Sequence, residues 1–174
     1  MLSTDGVAEE PSDWTTDDGP EVFGNLAAVI GTQDTVLLGR RTHDYWAGYW
    51  PTSDVQPFPD VVNQTPQHVF TSTAPELRWD RSTFVTGSAA GHVARLKEGA
   101  GGDVGVHGST TLARSLLGAG LVDELRLVVA ASLAGSGRTL FDVGPDGARR
   151  PVRHLHLPDA RSTPAGTLLL HYAC

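Results

Sequence analysis

Very little in this chain points to disulfides, membranes, metals or nucleic acid. Among its 174 residues there is one cysteine, Cys174 at the last position, so no internal disulfide can form and a loose surface thiol is expected rather than a catalytic one. No apolar run approaches the length that a helix needs to cross a bilayer. The opening MLSTDGVAEE has neither a basic stretch nor an apolar core, so no secretory signal is expected. The formal charge of −7 is spread over short acidic clusters, and without a basic groove nucleic acid is not an expected partner. The histidines lack metal-ligand spacing. His154 and His156, two apart, share a strand face without forming a ligand set, so no metal site is expected. No GxGxxG is present, so a standard Rossmann domain is not supported. These absences leave a soluble cytoplasmic protein as the expectation. With 40% hydrophobic residues and no internal repeat, the chain reads as one domain over residues 1–174.

What is present is a set of strand ends rich in Gly, Ser, Thr and Arg. The segment GVHGSTTLARSLL (Gly105–Leu117) runs from an apolar strand into Gly108-Ser109-Thr110-Thr111. A helix follows, with Leu112, Leu116 and Leu117 at helical spacing. Glycine admits close approach of a ligand, and the hydroxyls and N–H groups of a helix start can hold a phosphate. Ser and Thr at this place are equally ordinary N-caps, and both readings stand for the segment alone. Three further segments have the same character. Gly39-Arg40-Arg41-Thr42 follows the buried run Val36-Leu37-Leu38, Thr71-Ser72-Thr73 follows His68-Val69-Phe70, and Thr86-Gly87-Ser88 follows Thr83-Phe84-Val85. Each alone is also a plain strand-to-loop turn. Together they are what an extended dinucleotide needs, because ligands of open α/β sheets bind beyond the carboxyl ends of the strands.

Elsewhere the first twenty residues read as loop, and Glu21–Thr32 as a helix with Val22, Leu26, Val29 and Ile30 on one face. Thr42–Trp46 begins a short helix broken by Gly48 and Pro51, and His92–Lys97 is helical. Leu121–Leu133 holds a long alternating stretch. A closing hairpin is expected to pair Val152–Leu157 with Thr167–Tyr172 across Pro164-Ala165-Gly166. Gly135-Ser136-Gly137-Arg138 reads as a turn or bulge, and His107 as packed beside a strand end. The tryptophans read mainly as core, with Trp46 and Trp50 the pair nearest a cleft. Alternating strands and helices followed by an antiparallel tail predict an α/β domain with a mixed sheet.

The stretch from Gly105 to Phe141 resembles the central signature of the dihydrofolate-reductase-like superfamily, above all the reductase domain of the bacterial bifunctional riboflavin-biosynthesis deaminase–reductase and its stand-alone relatives. The resemblance extends to STDG (Ser3–Gly6), LLGRRTHDYW (Leu37–Trp46), HVFTST (His68–Thr73) and DARSTPAGTLLLHY (Asp159–Tyr172), and so spans nearly the whole chain. It implies a mixed, mostly parallel sheet flanked by helices, with NADPH as cofactor and a homodimer as the working form. Carried over by motif, Gly39, Arg40 and Thr42 would touch the pyrophosphate region, and Thr71 and Ser72 would lie near the 2′-phosphate. Gly87 would lie near the adenine side. Gly108, Ser109, Thr110 and Thr111 would form the nest under nicotinamide and pyrophosphate. Asp5 would face the nicotinamide and the substrate, as catalytic or anchoring group, with Trp46 as a substrate contact.

Two departures from the pattern shape the expectation. Relatives place an apolar strand before the STDG turn, in the middle of the sheet. Here only Met1-Leu2 stand there, so a truncated first strand is expected. Dihydrofolate reductases hold a carboxylate near the start of the first helix. Counting back from the Gly-Arg turn, that position falls near Phe23, which cannot protonate anything, so dihydrofolate is not the expected substrate. The resemblance implies an NADPH-dependent reductase acting on a small ribosylaminopyrimidine-, pterin- or flavin-like heterocycle. The alternative is a non-catalytic nucleotide-binding protein of the same fold.

Overall fold

The apolar runs at Val36–Leu38 and Val69 do form strands, and they run parallel. A computed structural model describes residues 1–17, 19–73, 75–141 and 152–174. These gather into two compact units, one of residues 26–121 and one of residues 1–25 with 122–174.

In the first unit, β1 (Gln33–Gly39), β2 (Gln67–Phe70), β3 (Ser82–Val85) and β4 (Asp103–His107) form a sheet of order β3-β2-β1-β4, with every pair parallel. Parallel strands need crossovers, and helices supply them. Here they are α2 (Arg40–Tyr49) and α3 (Phe58–Gln64) between β1 and β2, α4 (Ala89–Lys97) between β3 and β4, and α5 (Thr110–Gly118) after β4. The β1–β2 and β3–β4 connections run in opposite directions across the sheet. Right-handed crossovers then put α2 and α4 on opposite faces. Val36, Leu38 and Val69 pack with Val62 and Trp79 into one core cluster, flanked by Trp46, Ala47 and Trp50. Leu38 and Val69 are fully buried, and each such side chain contributes about 1.5–3 kcal/mol of apolar transfer. Leu37, one residue off in the pleat, is buried on the other face.

Several elements are longer than the sequence pattern predicts. β1 begins at Gln33, α2 runs from Arg40 through Gly48 to Tyr49, and α4 starts at Ala89. Helix α3, over Phe58–Gln64, was not foreseen, since its short apolar set Phe58, Pro59 and Val62 gives too little period to read.

In the second unit, β5 (Glu124–Val129), β6 (His156–Ser162) and β7 (Leu168–Ala173) form an antiparallel sheet of order β5-β7-β6. The closing hairpin exists, but its first strand corrects the expectation: it is His156–Ser162, not Val152–Leu157. Register with β7 shifts between His156 and Asp159, around Pro158. Proline cannot donate to a ladder, so it is confined to an edge strand or bulge, and β6 is that edge. All seven β6 residues are exposed, so no in–out alternation marked the strand in the sequence. The long alternating stretch contracts to the six residues of β5.

Among the described residues before α1 (Pro20–Ile30) there is one 3₁₀ turn, Pro11–Asp13. They are nonetheless tied down. Leu2 forms a parallel bridge to Val129, and Val7 an antiparallel bridge to Thr139, with both side chains buried. The first strand expected in mid-sheet is thus reduced to one bridge. Among the described residues, β4 pairs with β1 alone. No described helix is long and apolar enough to cross a membrane.

Candidate functional site

The order β3-β2-β1-β4 has its reversal between β1 and β4. From β1 the chain turns towards β2, whereas β4 is reached from the far edge. A crevice opens at such a switch point, beyond the carboxyl ends of the strands. Leu38 and His107 are register partners, so α2 and α5 start side by side there.

The two starts interlock through their glycines. A Cβ added at Gly39 would lie 2.6 Å from Ser109 Oγ. One added at Gly108 would lie 2.6 Å from Thr42 Oγ1, and Gly108 has φ +72°, which other residues rarely adopt. Each turn therefore needs its glycine because a hydroxyl residue of the other turn fills the space. Gly39, Thr42, Gly108 and Ser109, four of the residues expected around a pyrophosphate, are thus in mutual contact, with Thr110 and Thr111 opening α5. Ser109 does serve as an N-cap, its Oγ accepting from Leu112 N at 3.3 Å. Helix α2 begins on Gly39 with no side-chain cap at all. Two helix starts converging on one crevice sum their partial positive charges there.

The remaining strand ends lie along the same edge of the sheet. Thr71 follows β2 and forms a local turn, its Oγ1 accepting from Thr73 N at 3.1 Å, with Ser72 exposed beside it. Gly87 follows β3 at φ +105°, exposed and with nothing within 4 Å of a would-be Cβ. Ser88 caps α4 through Gly91 N at 3.2 Å. Arg40 is already engaged. Its Nη1 donates to Asp44 Oδ2 at 2.7 Å and lies 3.4 Å from Glu76 Oε1. Asp44 also accepts from Glu76 N at 3.3 Å and faces His43 Nδ1 at 3.2 Å. Burial raises the Asp44 pKa, but His43, the Glu76 amide and Arg40 outweigh it and hold the carboxyl below its usual value.

Trp46 is half-buried on α2. Its ring meets Trp50, Trp79 and His107 at centroid distances of 5.8, 6.5 and 5.5 Å, so it packs as part of the core wall. His107, at the end of β4, is held from below by Gln33, whose Oε1 is 2.6 Å from His107 Nε2. Gln33 reaches it by lying across Gly105, where any Cβ would collide with the Gln33 amide. Burial pushes the His107 pKa down to about 4, so the ring is neutral at pH 7 and its Nε2–H donates to Gln33.

In the second unit, Asp5 clamps a loop. Its Oδ1 accepts from Ser3 Oγ at 2.5 Å and from Ala134 N at 3.1 Å, and its Oδ2 accepts from Gly135 N at 2.8 Å. Led by the Ser3 hydroxyl, these donors lower the Asp5 pKa to about 2. A carboxylate held that low is an acceptor and an anchor; it is a poor proton donor at neutral pH. The loop it clamps lines an open cavity of about 320 Å³, with Leu133, Ala134, Ser136 and Gly137 on one side and Glu9, Glu10, Asp13 and Trp14 on the other. Trp14 Nε1 donates to Glu9 O at 2.9 Å, and Glu9 pairs with Arg138 at 2.8 Å. Of Gly135–Arg138, read from the sequence as a turn or bulge, Ser136 and Gly137 thus line a cavity. No described cluster of His, Cys, Asp and Glu could hold a metal ion.

Sequence reasoning missed the Asp44–Arg40–Glu76 network and the Gln33–His107 pair. The spacing of Arg40 and Asp44, four apart on one helix, was a readable signal. Gln33 and Glu76 had none, since their partners are 74 and 36 residues away.

A model of the RibD C-terminal domain family matches residues 1–169. The uncharacterized protein YyaP of Bacillus subtilis (strain 168) is 30% identical over 150 residues, which cover 80% of this chain and 76% of YyaP. Among solved structures, a putative riboflavin biosynthesis protein from Shewanella sp. PV-4 superposes with a TM-score of 0.74 at 17% identity, covering 99% of this chain and 94% of that one. A dihydrofolate reductase from Enterococcus faecalis, complexed with NADP(H) and RAB-propyl, superposes with a TM-score of 0.64 at 13% identity, covering 99% and 91%. These likenesses establish a dihydrofolate-reductase-like fold. Through the match along nearly its full length, this chain belongs to the RibD C-terminal domain family, whose character is reductase-like.

Proposed function

We propose that this protein is an NADPH-dependent reductase that passes hydride to a small heterocycle of ribosylaminopyrimidine, pterin or flavin type. The observation that carries the reading is the interlock of Gly39 with Ser109 and of Gly108 with Thr42 at the switch point. It holds two helix starts side by side at the carboxyl ends of β1 and β4, where a pyrophosphate can be met by helix N-termini. The residues present fit the cofactor: Gly39, Arg40 and Thr42 for the pyrophosphate region, Gly108, Ser109, Thr110 and Thr111 for nicotinamide and pyrophosphate, Thr71 and Ser72 for the 2′-phosphate, and open space over Gly87 for the adenine side. The Enterococcus faecalis neighbour, solved with NADP(H), supports the same choice.

NADPH would supply the hydride, and the protein binding, orientation and electrostatics. The α2 and α5 starts offset the pyrophosphate charge. Neutral His107 steadies the turn behind Gly108, its carbonyl accepting from Ser109 N at 3.0 Å. Asp5, ionised, holds the 134–135 loop, and its role as a substrate anchor is drawn from the resemblance alone. Because its pKa is about 2, the proton that completes reduction is better drawn from water than from Asp5. That feature favours the second reading, a nucleotide-binding protein without turnover. Homodimerisation and a cytoplasmic setting belong to the proposal through the resemblance alone.

The deciding experiment is NADPH titration followed by NADPH oxidation with aminopyrimidine, pterin and flavin candidates. Binding with oxidation of one candidate supports the reductase. Binding with no oxidation favours the second reading, and no binding overturns both.

A further inference from the structure

Arg40 carries two carboxylates, and they are built differently. Asp44 is fixed: it sits one turn along the same helix, is 13% exposed, and is also held by His43 and the Glu76 amide. The Glu76 side chain is 77% exposed and meets the guanidinium only at 3.4 Å. It rises from the loop after β2 that also carries Thr71 and Ser72. Resting on the nucleotide reading above, we propose that Glu76 is an internal competitor for phosphate: its carboxylate takes the place on Arg40 that an incoming phosphate group would take.

The charge balance requires the exchange. One guanidinium between two carboxylates is already over-neutralised, and a phosphate brought to it adds further negative charge. Asp44 cannot leave without losing the backbone contact to Glu76 and the His43 contact. Glu76 can swing into water, since an exposed ion pair contributes little. Asp44 then keeps the guanidinium aimed while phosphate replaces Glu76. Glu76 would thereby set how tightly the site takes phosphorylated nucleotide and how strongly salt weakens it.

The test is the dissociation constant of NADPH and of NADH, followed by fluorescence, for the native protein, Glu76→Gln, Arg40→Met and the double variant. Glu76→Gln, at an exposed position, should tighten NADPH by roughly two- to fivefold, the scale of an exposed pair. A gain for NADPH alone assigns the contact to the 2′-phosphate, and an equal gain for NADH assigns it to the pyrophosphate. In the Arg40→Met background the gain should vanish. NADPH affinity unmoved or weakened by Glu76→Gln, or a full gain persisting without Arg40, overturns the inference and leaves the nucleotide reading intact. If no variant binds NADPH, that reading falls and this inference with it.

Discussion

Two loops in this protein are held by opposite means. At the β1 and β4 ends, glycines and hydroxyl side chains interlock sterically, with Gly39 against Ser109 and Gly108 against Thr42. At Ala134–Gly135, a single carboxylate, Asp5, gathers backbone N–H groups by charge. The steric lock depends on atom size and carries no charge of its own. The charged clamp depends on ionisation. The proposed nucleotide site gains from the first, because the two turns stay in one shape.

The strongest way to break this contrast is at the glycines. Gly39→Val or Gly108→Val should weaken NADPH by at least about 100-fold, since either the helix starts part or the side chain fills the cradle. NADPH titration and thermal melting check this together, and a Gly108 variant with native affinity would refute the cradle. Next in size is the core beneath it. Leu38→Ala, at a fully buried position, should cost about 2–5 kcal/mol in urea unfolding, whereas Leu157→Ala on exposed β6 should cost less than about 0.5.

Acid should separate the regions further. His107 has its pKa lowered to about 4, so its contribution is complete above pH 6.5 and is lost as pH falls from there to about 4. That loss amounts to up to about 3 kcal/mol. Asp5 is also lowered, to about 2, so its contribution is complete above pH 3.8 and is lost as pH falls towards 2. Hydrogen exchange against pH should therefore show the β4 end loosening in the higher window and the 134–135 loop in the lower one. Asp5→Asn should remove the lower step alone; a step that survives would mean that another group clamps the loop. The exposed ion pairs of the second unit should also matter little. Arg126→Ala and Arg161→Ala, which remove the guanidinium groups facing Glu124 and Asp159, should each change stability by less than about 1 kcal/mol.

Legibility followed the range of the interactions. The four strand ends with Gly, Ser, Thr and Arg were readable because each is a local signal: an apolar run, a breaker, a helix start. Their convergence on one sheet edge follows from parallel order, and that the structure supplies. The final hairpin was legible as a hairpin but misplaced by several residues. Pro158 and a fully exposed strand erase the alternation that would have located β6. Helix α3 was too short to show a period. The Arg40 network was half visible, through Asp44, while Glu76 arrives from another loop.

By itself, then, the sequence determined the α/β alternation, the strand-to-helix turns with their Gly, Ser, Thr and Arg, and the family. These rest on local pattern, which chain neighbours carry. Only the tertiary structure decided why Gly39 and Gly108 must be glycine, why Gly105 must make room for Gln33, and which carboxylates hold Arg40. Those are contacts between segments distant in the chain, and no local period records the space one segment leaves for another.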